Sequence, residues 1–332
     1  MTVLSFLFIV LIFFILFLAS ISIIISFVFM LVFININFNF FYYNHKAKLS
    51  DITYIKNTLK FIVKMASLTL GSRYELKITT RDNTKYCGDV FDSTLCKCLH
   101  LNDNYEPSVT EYLKKTLKKG DIFIDVGANE GMFGILAGKL VGQTGKVYCI
   151  EPLPRNISIL KKNIRINNLN NVIIYDVAAG DENKDVSFFD IKINNMLGGG
   201  ENIMTTLLSK IPGMVQLIKV KQKRLDTLIN EPLDKIKLIK IDTEGYEEYV
   251  LKGLDSWLIG KCSIDFIIEM NPSKSKYITD LLLNKHKYTG YMHWMDSVAY
   301  NDNVNWERLD INCNTQKNVL FTKNRWEKGT MI

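Results

Sequence analysis

The residues Asp125-Val126-Gly127-Ala128-Asn129-Glu130-Gly131, with Glu151 twenty positions after the last glycine, have the types and spacing of a nucleoside site. The apolar run Ile122 to Val126 gives way here to a turn and then to a helical pattern, which is where an α/β sheet holds a nucleotide-like ligand. Glycine has no Cβ to keep a ligand away from the backbone, and Asn129 tolerates the left-handed conformations such a turn uses. Free N–H groups of the helix starting near Gly131 would face an anionic group. Glu151, at the tip of the next strand, would accept hydrogen bonds from ribose hydroxyls.

The spacing narrows the ligand. A dinucleotide loop needs glycine at its first, third and sixth positions, and counting from Gly127 these are Gly127, Asn129 and Met132. NAD and FAD therefore fit poorly, and no G-x-x-x-x-G-K-[ST] loop occurs in the chain. An acidic residue at the strand end, Asp125, would repel a pyrophosphate but suits an amine and a sulfonium. S-adenosylmethionine carries both. The competing account is that Asp125 to Gly131 is a bare strand-to-helix turn, which the spacing of Glu151 disfavours.

A second constellation reads Lys240-Ile241-Asp242-Thr243-Glu244-Gly245-Tyr246-Glu247, with Glu269 ending the next apolar run. Lys240 and Asp242 share strand parity and Glu244 opens the turn. Carboxylates at the carboxyl ends of parallel strands lie where such sheets keep their sites, so Asp242, Glu244 and Glu269 could position a substrate hydroxyl or take its proton, helped electrostatically by Lys240. An ion-pair network closing the sheet is the alternative use of the same residues. A magnesium site on Asp242, Glu269 and Asn271 is conceivable, but no metal is assigned.

The elements that must hold these residues follow from periodicity. Ile122 to Val126, Val147 to Glu151, Val172 to Val177, Ile236 to Asp242 and Ile264 to Met270 are short apolar runs of buried-strand type separated by helical stretches, which predicts a doubly wound, mainly parallel sheet. Glu106-Pro107 opens a helix ending near Gly120. Short strands are expected over Tyr74 to Thr80 and around Tyr86 to Leu95. Between the third and fourth parallel strands come Val186 to Ile191, the run Gly198-Gly199-Gly200, read as a loop that could lie over the substrate, and the alternating segment Ile218 to Lys221.

Taken in order, Asp125 to Gly131, Glu151-Pro152-Leu153-Pro154, Asn163 with Asn168 to Val172, Ala178-Ala179-Gly180-Asp181, Leu225-Asp226, and Lys240 to Glu247 through Val250-Leu251-Lys252-Gly253 resemble the FkbM family of S-adenosylmethionine-dependent methyltransferases, over about residues 105 to 325. The resemblance implies a class I methyltransferase, Rossmann-like α/β fold. Its seven-stranded sheet would carry helices on both faces, with a last antiparallel strand at Asn318 to Thr322. It also implies O-methylation of hydroxyls on sugars or natural products. Asp125, Gly127, Ala128, Asn129, Gly131 and Glu151 would line the cofactor, Val177 and Ala178 would face the adenine, and Asp242 and Glu244 would face the transferred methyl. A nicotinamide oxidoreductase of related fold and a catalytically silent membrane scaffold are the alternatives.

Residues 1 to 44 contain no Asp, Glu, Lys, Arg or His, and Val3 to Ile36 is almost wholly apolar. About 20 such residues span a bilayer as a helix. A single-pass anchor over 1–44 is expected, a hairpin of two short spans being the alternative, with 45–104 as a juxtamembrane helix and short strands and 105–332 as the methyltransferase domain. Tyr42 and Tyr43 suit the interface, and the lysines from Lys46 onward place the catalytic part in the cytoplasm by the positive-inside rule. The net charge of +7 is dispersed, without the dense basic stripe of a nucleic-acid surface. A membrane and a glycan, lipid or small-molecule hydroxyl acceptor are the expected partners. The six cysteines show no metal or disulfide spacing and are read as reduced thiols. Asn156-Ile157-Ser158 matches a glycosylation acceptor but sits on an expected helix, and is read as coincidence.

Overall fold

In the computed structural model, the residues described are 75–89, 95, 99, 105–191, 215–259, 263–293, 306–315, 317–324, 326–327 and 330–331. The apolar residues 1–44, the lysine-bearing stretch 45–70 and the glycine run at 198–200 lie outside them. Among the described residues no helix is long and apolar enough to cross a membrane.

Five strands run parallel in the order β5 (Val172–Tyr175), β4 (Lys146–Ile150), β3 (Ile122–Val126), β9 (Ile236–Ile241) and β10 (Asp265–Met270). Every residue of β3 and β10 is buried, because helices cover both faces. Such strands read as continuous apolar runs rather than as alternations. Next to β10 lies β13 (Lys317–Thr322), antiparallel to it, then β11 (Thr289–His293) and the two-residue β12 (Glu307–Arg308). The expected antiparallel last strand is therefore present. The sheet has eight strands rather than seven. The additional one, β12, is too short to carry any periodicity and pairs along the edge at Tyr291 and Met292.

One face of the sheet packs Ile124, Val126, Ile239, Ile241, Phe266 and Ile268 against Val250, Leu251, Trp257, Ile278 and Leu282. The other packs Phe123, Leu238, Ile267 and Leu320 against α1 (Pro107–Thr116), α2 (Met132–Val141) and α3 (Pro154–Ile166), through Tyr112, Leu113, Ile135, Leu136 and Leu160. Asp125, Lys240, Glu269 and Asn318 share parity with this second set. The face is apolar through its middle and polar at its carboxyl end.

Of the three smaller sheets among the described residues, one is only the pairing of Trp326–Glu327 with Thr330–Met331, and two stand near the loop. The hairpin β1 (Glu75–Thr79) and β2 (Lys85–Asp89) precedes α1 and is tied to α3 through the backbone of β2: the Cys87 N–H donates to Asn163 Oδ1 at 2.7 Å, and the Lys85 N–H to Asn167 Oδ1 at 2.9 Å. Asn163 Nδ2 in turn donates to the Glu130 carbonyl at 2.8 Å, within the glycine loop. The second, β6 (Ala178–Ala179), β7 (Lys184–Ile191) and β8 (Val215–Lys223), is largely an antiparallel hairpin with eight paired positions from Lys184↔Gln222 to Ile191↔Val215.

Candidate active site

The chain leaves β3 toward β4 and β5 on one side and returns through β9 to β10 on the other, so β3 and β9 flank the point where strand order reverses. Ligands of open α/β sheets bind at the carboxyl ends of strands at such a point. Both sequence constellations meet there. Asp242 N–H donates to the Val126 carbonyl at 3.0 Å, while Gly127 and Ala128 donate to Ile150 at 2.9 and 3.1 Å. Gly127 has φ +78°, Asn129 +50° and Gly131 +90°, so the loop uses the left-handed conformations its composition permits.

A cleft of about 860 Å³ of empty space, its open mouth included, lies over this loop. Gly127, Ala128, Asn129, Glu151, Lys240, Asp242 and Glu244 all line it. Asp125 and Gly131 lie behind the lining. Asp125 is 1% exposed, beneath the loop, and Gly131 has no room for a Cβ beside Leu160 of α3, so its role is close helix packing. Val177 and Ala178, expected near an adenine, are buried and are not among the residues lining the cleft, Val177 packing in the core. Glu269 also stands behind the lining, yet its carboxylate, with those of Asp242 and Glu244, forms a group with ligand atoms all within 4.8 Å of one another.

Glu151 is held in place by the loop it serves. Its Oε2 accepts from the Asn129 N–H at 2.8 Å, and its Oε1 from the Leu153 N–H at 3.0 Å and Asn156 Nδ2 at 3.1 Å. Burial lifts its carboxyl to about 7 despite those donors. Burial likewise lifts Asp125 to about 6, against the pull of the Lys240 ammonium.

Lys240 organises the other half. It is 2% exposed, its Nζ lies 2.7 Å from Asp242 Oδ2, and it stands 4.9 Å from the centroid of the Phe133 ring. Burial opposes its charge, but Asp242, Glu106 and Asp125 outweigh that, and the ammonium is held above its ordinary range. Burial also works against ionised Asp242, and Lys240 overrides it, keeping this carboxyl below its usual range. Glu269 is pushed up, by burial and then by Asp242, and holds its proton against that neighbour. Glu106, before α1, receives a hydrogen bond from Asn318 Nδ2 at 3.1 Å and is raised chiefly by burial.

Glu244 stands exposed at the rim with φ +55°, a conformation that non-glycine residues rarely adopt. Its turn is fixed by buried Glu247, whose Oε1 accepts from Thr243 N–H and Oγ1 at 2.9 Å each and from Gly245 N–H at 3.0 Å. Partial desolvation and then the Asp242 charge bring Glu244 to about 7. Strain of this kind gathers at functional sites.

The lining fits S-adenosylmethionine on chemical grounds. Its carboxylates outnumber its one lysine, which favours a cationic ligand, and the buried Asn129 Oδ1 has no hydrogen-bond partner. Sequence reasoning missed Leu95, Tyr105, Phe133, Asn156 and Phe188, which complete the walls. Tyr105 and Phe133 contact each other with centroids 5.9 Å apart. Phe133 could have been found as the second helical residue after the loop. Phe188 could not, since it arrives on β7 through a pairing that no local pattern specifies. Asn156 was singled out only as a glycosylation match; at 2% exposure it offers no free amide to a glycan.

Residues 125–292 match the model of the methyltransferase FkbM domain. The chain is 29% identical over 144 residues to a probable cobalt-precorrin-6B C(15)-methyltransferase (decarboxylating) of Sulfurisphaera tokodaii, covering 42% of this chain and 73% of that protein. It is 26% identical over 182 residues to methyltransferase 1 of Beauveria bassiana, covering 49% and 70%. The crystal structure of methyltransferase FkbM from Methylobacillus flagellatus KT is similar at 15% identity and a TM-score of 0.38, over 67% of this chain and 52% of that one.

Proposed function

The chain belongs to the FkbM methyltransferase family, and from that premise we propose that it is a membrane-anchored methyltransferase that uses S-adenosylmethionine to methylate a hydroxyl of a sugar, lipid or small metabolite. The observation that carries the reading is the meeting of two different surfaces in one cleft, a nucleoside-type loop with Glu151 and a carboxylate group with a base near neutrality. Relatives that are C-methyltransferases leave the acceptor atom open; Glu244, at the rim and grouped with Asp242 and Glu269, is placed to take the proton that a hydroxyl loses as it attacks.

When bound, S-adenosylmethionine supplies a methyl group on a sulfonium, an electrophile that needs only an oriented nucleophile. Gly127, Ala128, Asn129 and Glu151 would hold it, with Glu151 on the ribose. Lys240 keeps Asp242 ionised, so a fixed negative charge faces the cleft and attracts cationic character there. Glu244 is the base for the acceptor hydroxyl, poised to hold or release a proton near neutral pH. Glu269 keeps the proton it shares with Asp242 and orients that carboxylate. The remaining contribution is positioning, which for a displacement of this kind is the larger part of catalysis.

The apolar residues 1–44 would supply the anchor, and the lysines that follow would leave the catalytic residues in the cytoplasm. Digestion of 45–332 is expected when protease is added to sealed vesicles with their cytoplasmic face outward; protection would overturn this orientation. For the activity, the full chain in detergent is given labelled S-adenosylmethionine with membrane extracts and a glycan panel. A labelled methoxy product is expected, whereas label on carbon or nitrogen would overturn O-methylation.

A further inference from the structure

One side chain lining the cleft serves the site as described with only one of its two polar atoms. Asn156, in the first turn of α3, is 2% exposed and lines the cleft. Its Nδ2 donates to Glu151 Oε1 at 3.1 Å, while its Oδ1 is buried with no hydrogen-bond partner. Buried polar atoms are nearly always paired, and an unpaired one on a residue that lines a cleft marks a place that a ligand can complete. The orientation of the amide is not arbitrary. Glu151 Oε1 already accepts from the Leu153 N–H, so it meets the amide as an acceptor, and the NH₂ rather than the carbonyl is turned to it.

We propose that Asn156 is a second ribose ligand, its Oδ1 accepting a hydrogen bond from one ribose hydroxyl while Glu151 takes the neighbouring one. The proposal rests on the cofactor reading above. Glu151 Oε2 accepts one N–H, that of Asn129, and keeps a lone pair for one hydroxyl, while Asn156 Oδ1 keeps both of its own for the other, so each can take a donor that the diol gives. Adenine could offer a donor only through its amino group, and that source is separable from the ribose by experiment. Asn156 thereby acquires a function that its glycosylation-like sequence concealed.

The test is calorimetry on the full chain in detergent with S-adenosylhomocysteine, its 2′-deoxy and 3′-deoxy analogues, and S-inosylhomocysteine. The wild-type chain is expected to bind each deoxy analogue about tenfold more weakly, one charged or neutral hydrogen bond each. In Asn156→Ala, one of those two penalties should vanish while the other remains, and the inosine analogue should lose equally in both chains. Circular dichroism checks that the variant folds; if it does not, the wild-type series decides alone, because a penalty below twofold for either deoxy analogue overturns the proposal. Two undiminished penalties in a folded variant overturn it as well, as does a variant whose loss appears only against the inosine analogue. A wild-type chain that does not bind S-adenosylhomocysteine at all removes the cofactor reading itself. Binding without ribose discrimination removes only the role of Asn156.

Discussion

Gly127 and Asp242 meet backbone to backbone where β3 and β9 lie side by side. The space above the Gly127 Cα, where any other residue would carry a Cβ, is filled by the Asp242 carbonyl oxygen. The cofactor side and the acceptor side of the cleft are thus joined without an intervening side chain.

Gly127→Ala should therefore be damaging for two reasons, overlap with that carbonyl and a φ of +78°. A loss of about 1–3 kcal/mol in urea unfolding is expected from the backbone strain alone, with S-adenosylhomocysteine affinity falling by more than about tenfold as the loop moves away from Glu151. Gly245→Ala is the comparison. Gly245 has φ +106° but nothing within 4 Å of a built Cβ, so its substitution should cost conformational strain only. Equal stability losses in the two variants would contradict the importance of the Gly127 contact.

Glu244→Gln should lower turnover by about 10²–10⁴-fold, the usual contribution of a positioned general base. In the wild-type chain the rate should rise with pH through about 7, where Glu244 loses its proton, and the variant should lose that rise. A variant that keeps the wild-type pH profile would assign the base elsewhere, Asp242 being the next candidate.

Lys240→Met removes the cation at the centre of a buried acidic group. Removing one partner of a buried ion pair typically costs about 3–5 kcal/mol. The sign with pH is specific. Without Lys240 the folded-state pKa of Asp242 should rise above its unfolded value, so the folded state binds more protons and the variant should regain stability on acidification. Denaturation midpoints taken from pH 8 down to pH 5 would show this; a parallel loss at every pH would not fit.

The cofactor side has its own pH signature. Burial raises Glu151 to about 7 and Asp125 to about 6 in the folded chain, above ordinary carboxyl values of 4.5 and 3.8. The folded state then holds protons that the unfolded state has released, so stability should fall as pH rises through these windows and level off above about 7. Ribose hydroxyls prefer the ionised carboxylate. S-adenosylhomocysteine should therefore bind more tightly at pH 8 than at pH 6. Thermal melts with and without it, across that range, check both directions at once.

The sheet was legible because each central strand is buried on both sides. Ile122 to Val126 could be bounded to the residue, and the loop after it carried its own chemistry in glycine, asparagine and acid. Lys240, Asp242 and Glu244 were legible as charges that do not belong in an apolar run. What could not be read was anything brought by long-range pairing. Phe188 reaches the cleft through the register of β7 on β8, Glu106 through Asn318 of β13, and β12 exists only as an edge for β11. Their sequences are ordinary for the elements they occupy. Val177 and Ala178 show the converse: the strand expected to run to Val177 ends at Tyr175, Ala178 belongs to β6, and both side chains are buried and do not line the cleft.

The hairpin β1–β2 reaches the glycine loop through Asn163, and it does so with backbone groups of Lys85 and Cys87 rather than with their side chains. Almost any residue can present the same N–H and C=O. The exposed position 85 can therefore vary while the hairpin's path is held, whereas buried Tyr86, whose hydroxyl donates to the Met132 carbonyl at 2.9 Å, cannot, and proline is excluded at positions 85 and 87. The family pattern, which begins at residue 125, leaves this support of the loop outside its bounds.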